Sequence, residues 1–318
     1  MEKYLTSVSI DASTKCQLRC PICSTSRGFI KNSIVGEGFL SVENFVQFVN
    51  KNPEINKIEL SNWGEIFLNP EINDIIQFAY EKNIKLTAGN GVNFNSVSLK
   101  TIEYLVKYQF RYLSISIDGA SQEIYKKYRV NGDFKKVIEN IRTLNFYKQL
   151  YHSKYPILSW QYILFGHNES EIVSAKHLSK ELNMKFMPKL NHSKTYSPIK
   201  NLEKVGVDSG LFVANREDYK IVHGIFYKRS CCQLWISPQI NWNGELLGCC
   251  VNKWKGLGNV FNKGLYSSIE SPLYKKIKKA LIGELLFDES MPCYYCPLLI
   301  EISEQPISDQ EIDFYYSQ

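Results

Sequence analysis

The sequence lacks any long hydrophobic run. A membrane-spanning helix needs about 18 consecutive apolar residues, and even the uncharged stretch at residues 230–244 is interrupted by Ser, Gln, Pro and Asn. Residues 1–4 also lack the apolar segment of a signal peptide. These absences predict a cytoplasmic protein with no membrane partner.

Blocks of like charge, internal repeats and low-complexity tracts are absent as well. The 38 basic and 32 acidic residues give a net charge of +6, spread along the chain, so we expect no nucleic-acid partner. With 44% hydrophobic and 22% charged residues among 318, the chain can bury a sizeable core. An ordinary globular protein is therefore expected.

Short apolar or β-branched runs alternate with amphipathic segments over residues 5–190, which predicts parallel βαβ units. The predicted strands are residues 7–11, 57–61, 85–88, 112–117, 158–164 and 185–187. The predicted helices are residues 42–50, 71–82, 99–108, 134–148 and 169–182. Periodicity alone does not decide whether the predicted sheet lies open or curls into a partial barrel.

The alternation stops after residue 191. Residues 192–209 are rich in Ser, Asn, Lys and Pro and are interpreted as a linker. We therefore place a domain boundary near residue 200 and predict domains at residues 1–200 and 201–318, with three of the nine cysteines in the first and six in the second.

The first three cysteines form a compact motif, Cys16-x3-Cys20-x2-Cys23, directly after the first predicted strand. Loops at the carboxyl ends of parallel strands carry chemistry in such folds, and three thiolates can hold three irons of a [4Fe–4S] cluster, leaving one iron open. A structural zinc site is the alternative, but it needs four ligands. No His or Cys lies between Cys23 and His152 to complete one nearby.

This cysteine spacing after the first strand resembles the signature of the radical S-adenosylmethionine (SAM) enzymes. Residues 62–65, Asn-Trp-Gly-Glu, follow the second strand and are similar to the family's Gly-Gly-Glu-type segment. The resemblance implies that Trp63, Gly64 and Glu65 hold the methionyl ammonium of SAM, and that the fold is a partial (β/α)6 TIM-like barrel.

The fourth-strand segment of the same family is similar to residues 114–120 followed by Tyr128-Arg129. The resemblance implies that Ser116 contacts the ribose or carboxylate of SAM and that Arg129 contacts its carboxylate. Such charge-assisted pairs are stronger than neutral hydrogen bonds and would orient the cofactor. A surface acid and a helix-end cation are the alternatives for Glu65 and Arg129.

Two residues depart from the family pattern. Ile22 stands where the family often has an aromatic residue, and Trp63 replaces a glycine. Neither change removes a ligand or a charge, so we expect adjusted cofactor packing. Ile22, Gln161 and Met187 are the candidates for adenine contact, with loop, strand-polar and core roles as their alternatives.

The second set comprises six thiols within 66 residues, namely Cys231, Cys232, Cys249, Cys250, Cys293 and Cys296. Adjacent side chains rarely reach one ion together, so one member of each Cys-Cys pair is expected to be the ligand. The spacing C-x17-C-x43-C-x2-C resembles the twitch domain, a shorter relative of the SPASM extension of radical SAM enzymes.

That resemblance implies that Cys231, Cys249, Cys293 and Cys296 hold one auxiliary [4Fe–4S] cluster, making two clusters in the chain. The Trp at 235 and the Gly at 244 are in step with the family and favour Cys231 and Cys249 over their neighbours. Zinc remains open here, because four thiolates satisfy a tetrahedral zinc ion equally well.

The resemblance implies that an electron, delivered by a flavodoxin or ferredoxin-type donor, cleaves SAM to a 5′-deoxyadenosyl radical that abstracts a substrate hydrogen. If the substrate radical then loses a proton and an electron, the product is oxidised, and the protein is an oxidoreductase. If Cys232 or Cys250 returns a hydrogen atom, the product is an epimer. Both thiols have the alternative of being small buried apolar groups.

The expected class of substrate rests on features of the sequence that are less specific than the cysteine motifs. The first strand begins within seven residues of the start, which leaves no room before it for a peptide-recognition domain and favours a small polar substrate such as a sugar or aminocyclitol. Maturation of a ribosomal peptide brought by a partner is an alternative. A zinc-stabilised binding module is the alternative that is not an enzyme.

Overall fold

The computed structural model describes the backbone of residues 5–316 and the side chains through residue 313. Its strands are β1 Ser7–Ile10, β2 Lys57–Glu59, β3 Lys85–Val92, β4 Tyr112–Ser116, β5 Ile157–Leu164, β6 Lys185–Leu190, β7 Gln239–Ile240 and β8 Leu246–Gly248. All six predicted strand segments coincide with the first six of these strands.

Helices separate the strands. Those between β1 and β6 are α1 Val42–Lys51, α2 Ile72–Glu81, α3 Leu99–Lys107, α4 Gln122–Tyr128, α5 Phe134–Leu150 and α6 Ile172–Glu181. Those after β6 are α7 Leu202–Ser209, α8 Arg216–His223, α9 Gln233–Ile236, α10 Val260–Lys263, α11 Leu265–Ile269, α12 Pro272–Leu281, α13 Leu299–Glu304 and α14 Asp309–Tyr316. None of the described helices is long and apolar enough to cross a membrane.

The helices begin where the sequence supplies capping side chains. Ser41, Ser98, Ser121 and Asp133 each accept a hydrogen bond from a backbone N–H in the first turn of α1, α3, α4 and α5. Such caps satisfy donors that the helix itself leaves unpaired.

The chain forms two compact units. Of the described residues, the first unit comprises 5–15, 29–85 and 229–316. Its strands lie in the order β2–β1–β7–β8, with β1 parallel to both of its neighbours and β7 antiparallel to β8. Helix α1 covers this unit with Phe45, Phe48 and Val49 buried.

The second unit comprises residues 16–28 and 86–228. Strands β3, β4, β5 and β6 lie side by side and are all parallel. Trp160 of β5 is fully buried and donates its indole N–H to Ile117 O at 2.7 Å, so even the largest core side chain has its polar atom paired.

Helices α7 and α4 differ from the sequence expectations. Residues 202–209, inside the expected linker, form helix α7 because Asn201 caps its start and Gly210 ends it with a φ of +79°. Helix α4 was not predicted, because seven residues are too few for a clear apolar period. The domain boundary near residue 200 stays a prediction.

Candidate functional site

The first cysteine motif folds onto an apolar cluster in the second unit. Cys20 is buried there with Tyr128 and Phe165, and the partly buried Cys16 and Cys23 pack against the same cluster. The Cys23 N–H donates to Cys20 O at 3.2 Å, which closes a tight turn between two of the thiols. All three cysteines therefore pack against the same apolar cluster, and their role as the ligands of an iron–sulfur cluster stays a prediction.

Arg129 lies beside this motif. Its Nη1 is 3.8 Å from the Sγ of Cys20, and its Nε donates to Asp118 Oδ2 at 2.6 Å. Burial acts to lower the pKa of Arg129, but Asp118 and Cys20 outweigh it and hold that pKa well above its usual value. The guanidinium is therefore charged next to a predicted cluster ligand. Its predicted contact with the SAM carboxylate stays a prediction.

Asn93 and Gln17 support the other end of the motif. Asn93 Nδ2 lies 3.6 Å from Cys16 Sγ, and Gln17 Nε2 donates to Asn93 Oδ1 at 2.9 Å. Sequence reasoning did not select Asn93. The signal that could have found it is its position directly after β3, at the carboxyl end of a parallel strand.

A row of polar side chains crosses β4, β5 and β6. Gln161 Nε2 donates to Ser116 Oγ at 3.0 Å, and Lys189 donates to Gln161 Oε1. Gly91 of β3 fits beside them only as glycine, because a Cβ there would lie 2.3 Å from Ser116 Oγ. Two predicted contacts of SAM, Ser116 and Gln161, are thus hydrogen-bonded to each other, and Lys189 is an addition that no sequence pattern marked.

The other two proposed adenine contacts lie elsewhere in the second unit. Ile22 packs against the cluster around Cys20. Met187 is the register partner of Gln161 on the neighbouring strand β6. Their roles stay predictions.

The predicted Gly-Gly-Glu-type segment lies in the first unit. A Cβ on Gly64 would lie 2.4 Å from Ser13 O, so the backbone approaches closely here because residue 64 is glycine. The Glu65 N–H donates to Lys15 O at 2.8 Å, and its buried carboxylate accepts from Phe67 N–H at 3.3 Å. Glu65 is therefore a buried acid rather than the surface acid of the alternative reading.

Trp63 has two attachments within the same unit. Its side chain packs against the buried cluster of Ile30, Val35 and Leu247. Its backbone N–H donates to Asp11 Oδ1 at 3.2 Å. The bulky ring that replaces the family's glycine is thus accommodated in an apolar pocket.

A second pocket in the first unit is lined by four cysteines, Cys231, Cys249, Cys293 and Cys296. Apolar side chains, including Leu234, Leu247, Leu257, Ile277 and Ile302, make up most of the remaining wall. Among the described residues, no three His, Cys, Asp or Glu side chains are placed to hold a single metal ion. An apolar pocket with four thiols suits an iron–sulfur cluster, whose ligands are thiolates.

Burial raises the pKa values of these thiols. The pKa of Cys249 rises to about 11, and that of Cys231 rises well above its usual value through burial and the nearby Cys249, Cys293 and Cys296. Cofactor binding must therefore remove protons that the free protein holds tightly.

The remaining two thiols lie outside the lining of this pocket. Cys232 is fully buried and faces the charges of Glu311 and Arg229. Cys250 is partly buried; its N–H donates to Gln233 Oε1 at 2.7 Å, and its carbonyl accepts from Asn62 Nδ2 at 3.2 Å. Within each Cys-Cys pair one cysteine lines the pocket and the other does not; the choice of cluster ligand and the proposed donor role of Cys232 and Cys250 stay predictions.

Two family models match the chain. The model described as the radical SAM superfamily matches residues 10–151, and the one described as an iron–sulfur cluster-binding domain, SPASM, matches residues 231–297. A search of curated proteins gave no match.

Solved structures with the same fold include SuiB of Streptococcus suis bound to SAM, with 15% identity, 93% of this chain and 71% of that chain covered, and a TM-score of 0.65. SuiB bound to precursor peptide SuiA is 16% identical, with 93% of this chain and 70% of that chain covered and a TM-score of 0.64. BtrN in complex with AdoMet and 2-DOIA is 13% identical, with 88% of each chain covered and a TM-score of 0.50.

These identities support a shared fold and no more. Together with the parallel strands and the cysteine-rich C-terminal segment, they confirm the predicted α/β class, a partial (β/α)6 barrel followed by a small cluster-binding domain.

Proposed function

The chain belongs to the radical SAM superfamily and carries a C-terminal SPASM-type domain, and from this premise we propose that it oxidises a small polar, sugar- or aminocyclitol-like substrate. SAM and iron–sulfur clusters are its cofactors. When bound and reduced, they supply a 5′-deoxyadenosyl radical that removes a hydrogen atom from the substrate, and a one-electron acceptor.

The two predicted sets of cysteine ligands have different roles in this chemistry. Cys16, Cys20 and Cys23 would hold the cluster that meets SAM, because three thiols leave one iron open. The charged Arg129 and the buried Glu65 are the groups proposed to face the carboxylate and ammonium of SAM. A flavodoxin or ferredoxin-type protein is the proposed electron donor.

The observation that carries the proposal is the four-cysteine pocket. Four thiols, Cys231, Cys249, Cys293 and Cys296, line it, so a cluster held there would have every iron ligated. Such a cluster is better suited to accepting an electron than to binding substrate, and loss of an electron and a proton turns a substrate radical into an oxidised product.

Epimerisation is the second candidate because Cys250 lies outside the pocket lining and remains a thiol. Burial raises its pKa to about 12, so it carries a hydrogen at neutral pH. Peptide modification is a further alternative, since SuiB was solved with a precursor peptide.

Product analysis in deuterium oxide tests the proposal. We expect anaerobic, reconstituted enzyme given SAM, dithionite and 2-DOIA, the molecule bound to BtrN, to release a product two mass units lighter without solvent deuterium on carbon. A triple variant with Cys16, Cys20 and Cys23 changed to Ala should form no 5′-deoxyadenosine. A deuterated product of unchanged oxidation state, lost in Cys250→Ala, would instead identify an epimerase.

A further inference from the structure

The first unit carries an open groove on its surface, with a volume of about 1000 Å³. Part of residues 29–34 forms one side of its lining, and residues 253–255 and Tyr295 complete it. Every one of these residues belongs to the first unit. The groove is distinct from the four-cysteine pocket, although Trp254 lines both.

Three aromatic side chains line the groove. Phe29 and Tyr295 are about half exposed, and Trp254 is partly buried. A patch of exposed apolar side chains commonly marks an interaction site, and aromatic residues are enriched at the centre of protein interfaces. These side chains therefore suit contact with a partner protein.

The groove is also positively charged. The Lys253 ammonium lies 5.2 Å from the centroid of the Phe29 ring and 5.9 Å from that of Trp254, so two aromatic faces hold it in place. Lys255 is exposed. No Asp or Glu lines the groove, and within the described part of the chain neither lysine pairs with a carboxylate. An acidic partner would complement this charge, which would speed its association.

Asn252 holds the loop that carries both lysines. Its buried side chain donates from Nδ2 to Leu247 O and to Lys255 O, both at 2.8 Å, and its Oδ1 accepts from the Trp254 N–H at 3.1 Å. Because Leu247 belongs to β8, these bonds fasten the loop to the sheet. A surface that is ordered before binding loses less entropy when a partner docks.

The groove and the four-cysteine pocket share a wall. Trp254 lines both, and Tyr295 lies in the chain between the pocket residues Cys293 and Cys296. A protein seated in the groove would therefore contact a residue that also walls the proposed cluster site. Among acidic partners, this position favours one that exchanges electrons over a peptide that only binds.

We propose that this groove docks an acidic one-electron carrier protein of the flavodoxin or ferredoxin type. The inference rests on the proposed function, because substrate oxidation leaves one electron on the auxiliary iron–sulfur acceptor, and this electron has to leave before the next turnover. The oxidised carrier gains that electron and departs in its one-electron-reduced form, and no covalent bond forms or breaks. Lys253 and Lys255 steer the carrier, and Phe29, Trp254 and Tyr295 supply its apolar contact.

Isothermal titration calorimetry with oxidised flavodoxin, a carrier of net negative charge, tests the docking surface. The cluster-loaded protein is used without SAM or substrate. The double variant Lys253→Glu, Lys255→Glu should bind about tenfold more weakly at low salt, and high salt should weaken wild-type binding. Phe29→Ala should weaken binding at both salt concentrations, because it removes an apolar contact.

The matched control is the double variant Lys51→Glu, Lys57→Glu. Both lysines are exposed in the same unit and lie outside the groove lining, and their reversal changes the net charge equally. Equal affinities of the two double variants overturn the proposal. Groove-dependent binding of poly-glutamate without binding of flavodoxin also overturns it and identifies a peptide site.

Stopped-flow spectroscopy tests the transfer of the electron. The variant with Cys16, Cys20 and Cys23 changed to Ala retains the C-terminal ligand set, so it is loaded, reduced, freed of excess reductant and mixed with oxidised flavodoxin. We expect the flavin to be reduced, and the charge reversal at positions 253 and 255 to slow this about tenfold at low salt. An unchanged rate overturns the groove as the route. If this variant holds no cluster, the proposed function fails, and the calorimetry still decides on the groove.

Discussion

At the scale of single residues, a buried ion pair between Arg129 and Asp118 lies beside the first cysteine motif. Asp118 has no exposed surface; its Oδ2 accepts from Arg129 Nε at 2.6 Å and its Oδ1 from the Ile163 N–H at 2.7 Å. A buried ion pair of this kind is costly to break from one side, because the remaining charge stays buried without its partner.

Arg129→Gln should therefore lower the free energy of unfolding by about 3–5 kcal/mol. Urea denaturation of the purified protein measures this change. Lys135→Gln is the matched control, since it removes a cation from the exposed pair with Glu139, which is worth about 0–1 kcal/mol. Equal effects of the two substitutions would contradict a stabilising role for the buried pair.

Asp11 gives stability a pH dependence of defined sign. Burial raises its pKa to about 7 in the folded chain against 3.8 for an unperturbed side chain, so between these values the folded state holds a proton that the unfolded state has lost. Stability should fall as pH rises through this range, by up to about 1.4 kcal/mol per pH unit from this group.

Urea denaturation at several pH values between 4 and 7 measures the slope, which Asp11→Asn should make shallower. Glu59→Gln serves as the control, because it leaves the Asp11 carboxyl in place. Equal slopes in wild type and Asp11→Asn would show that the carboxyl does not titrate in this range.

The cysteine ligands could be selected from sequence because their spacing is local. Cys16, Cys20 and Cys23 lie within eight residues, and the family signature is written in that spacing. Asp11 and Gln239, which form a hydrogen bond of 3.0 Å, are 228 positions apart, and no local pattern marks them. Their pairing depends on which strands become neighbours, and this is why the sequence alone missed them.

At the scale of elements, the Asn69 side chain links the segment after β1 to the segment before α1 through hydrogen bonds. Its side chain is buried, and its Nδ2 donates to Ala12 O, after β1, and to Leu40 O, before α1, both at 2.8 Å. Its Oδ1 accepts from the Glu71 N–H at 2.8 Å, at the start of α2. One amide thus sets the exit of a strand and the entries of two helices.

Asn69→Ala should destabilise the chain by about 1–3 kcal/mol, because Leu40 O loses the Asn69 donor and Ala12 O keeps only the Leu40 N–H. Thermal or urea unfolding measures the loss. Asn262→Ala, at an exposed position, should change stability by less than about 0.5 kcal/mol. Similar losses in both variants would mean that Asn69 has no special anchoring role.

The first six strands and helices α1, α2, α3, α5 and α6 were predicted because their apolar periods are local properties of the sequence. Helix α12 was not predicted, although with ten residues it is as long as α1. The short strands β7 and β8 were not predicted, since two and three residues carry no period. Strand β7 forms because it pairs with β1 along Ser9↔Gln239 and Ile10↔Ile240. That partner is remote in the chain, so tertiary contact rather than local propensity decides the element.

At the scale of the whole molecule, the predicted ligand sets fall in different compact units. Cys16, Cys20 and Cys23 lie in one unit, and the four pocket cysteines lie in the other. Each unit supplies its own set, so we expect each cluster to load without the other.

Reconstituted wild-type protein should hold about eight irons per chain, corresponding to two four-iron clusters. Changing Cys16, Cys20 and Cys23 to Ala should leave about four, and so should Cys231→Ala or Cys249→Ala, because each removes a thiol from the pocket lining. Cys232→Ala and Cys250→Ala are the matched controls and should retain all eight, since neither thiol lines the pocket. Iron, zinc and sulfide analysis measures these contents. Four irons in wild type with zinc at the C-terminal cysteines would refute the auxiliary cluster, and loss of both clusters from either cysteine set would show that the two units do not load independently.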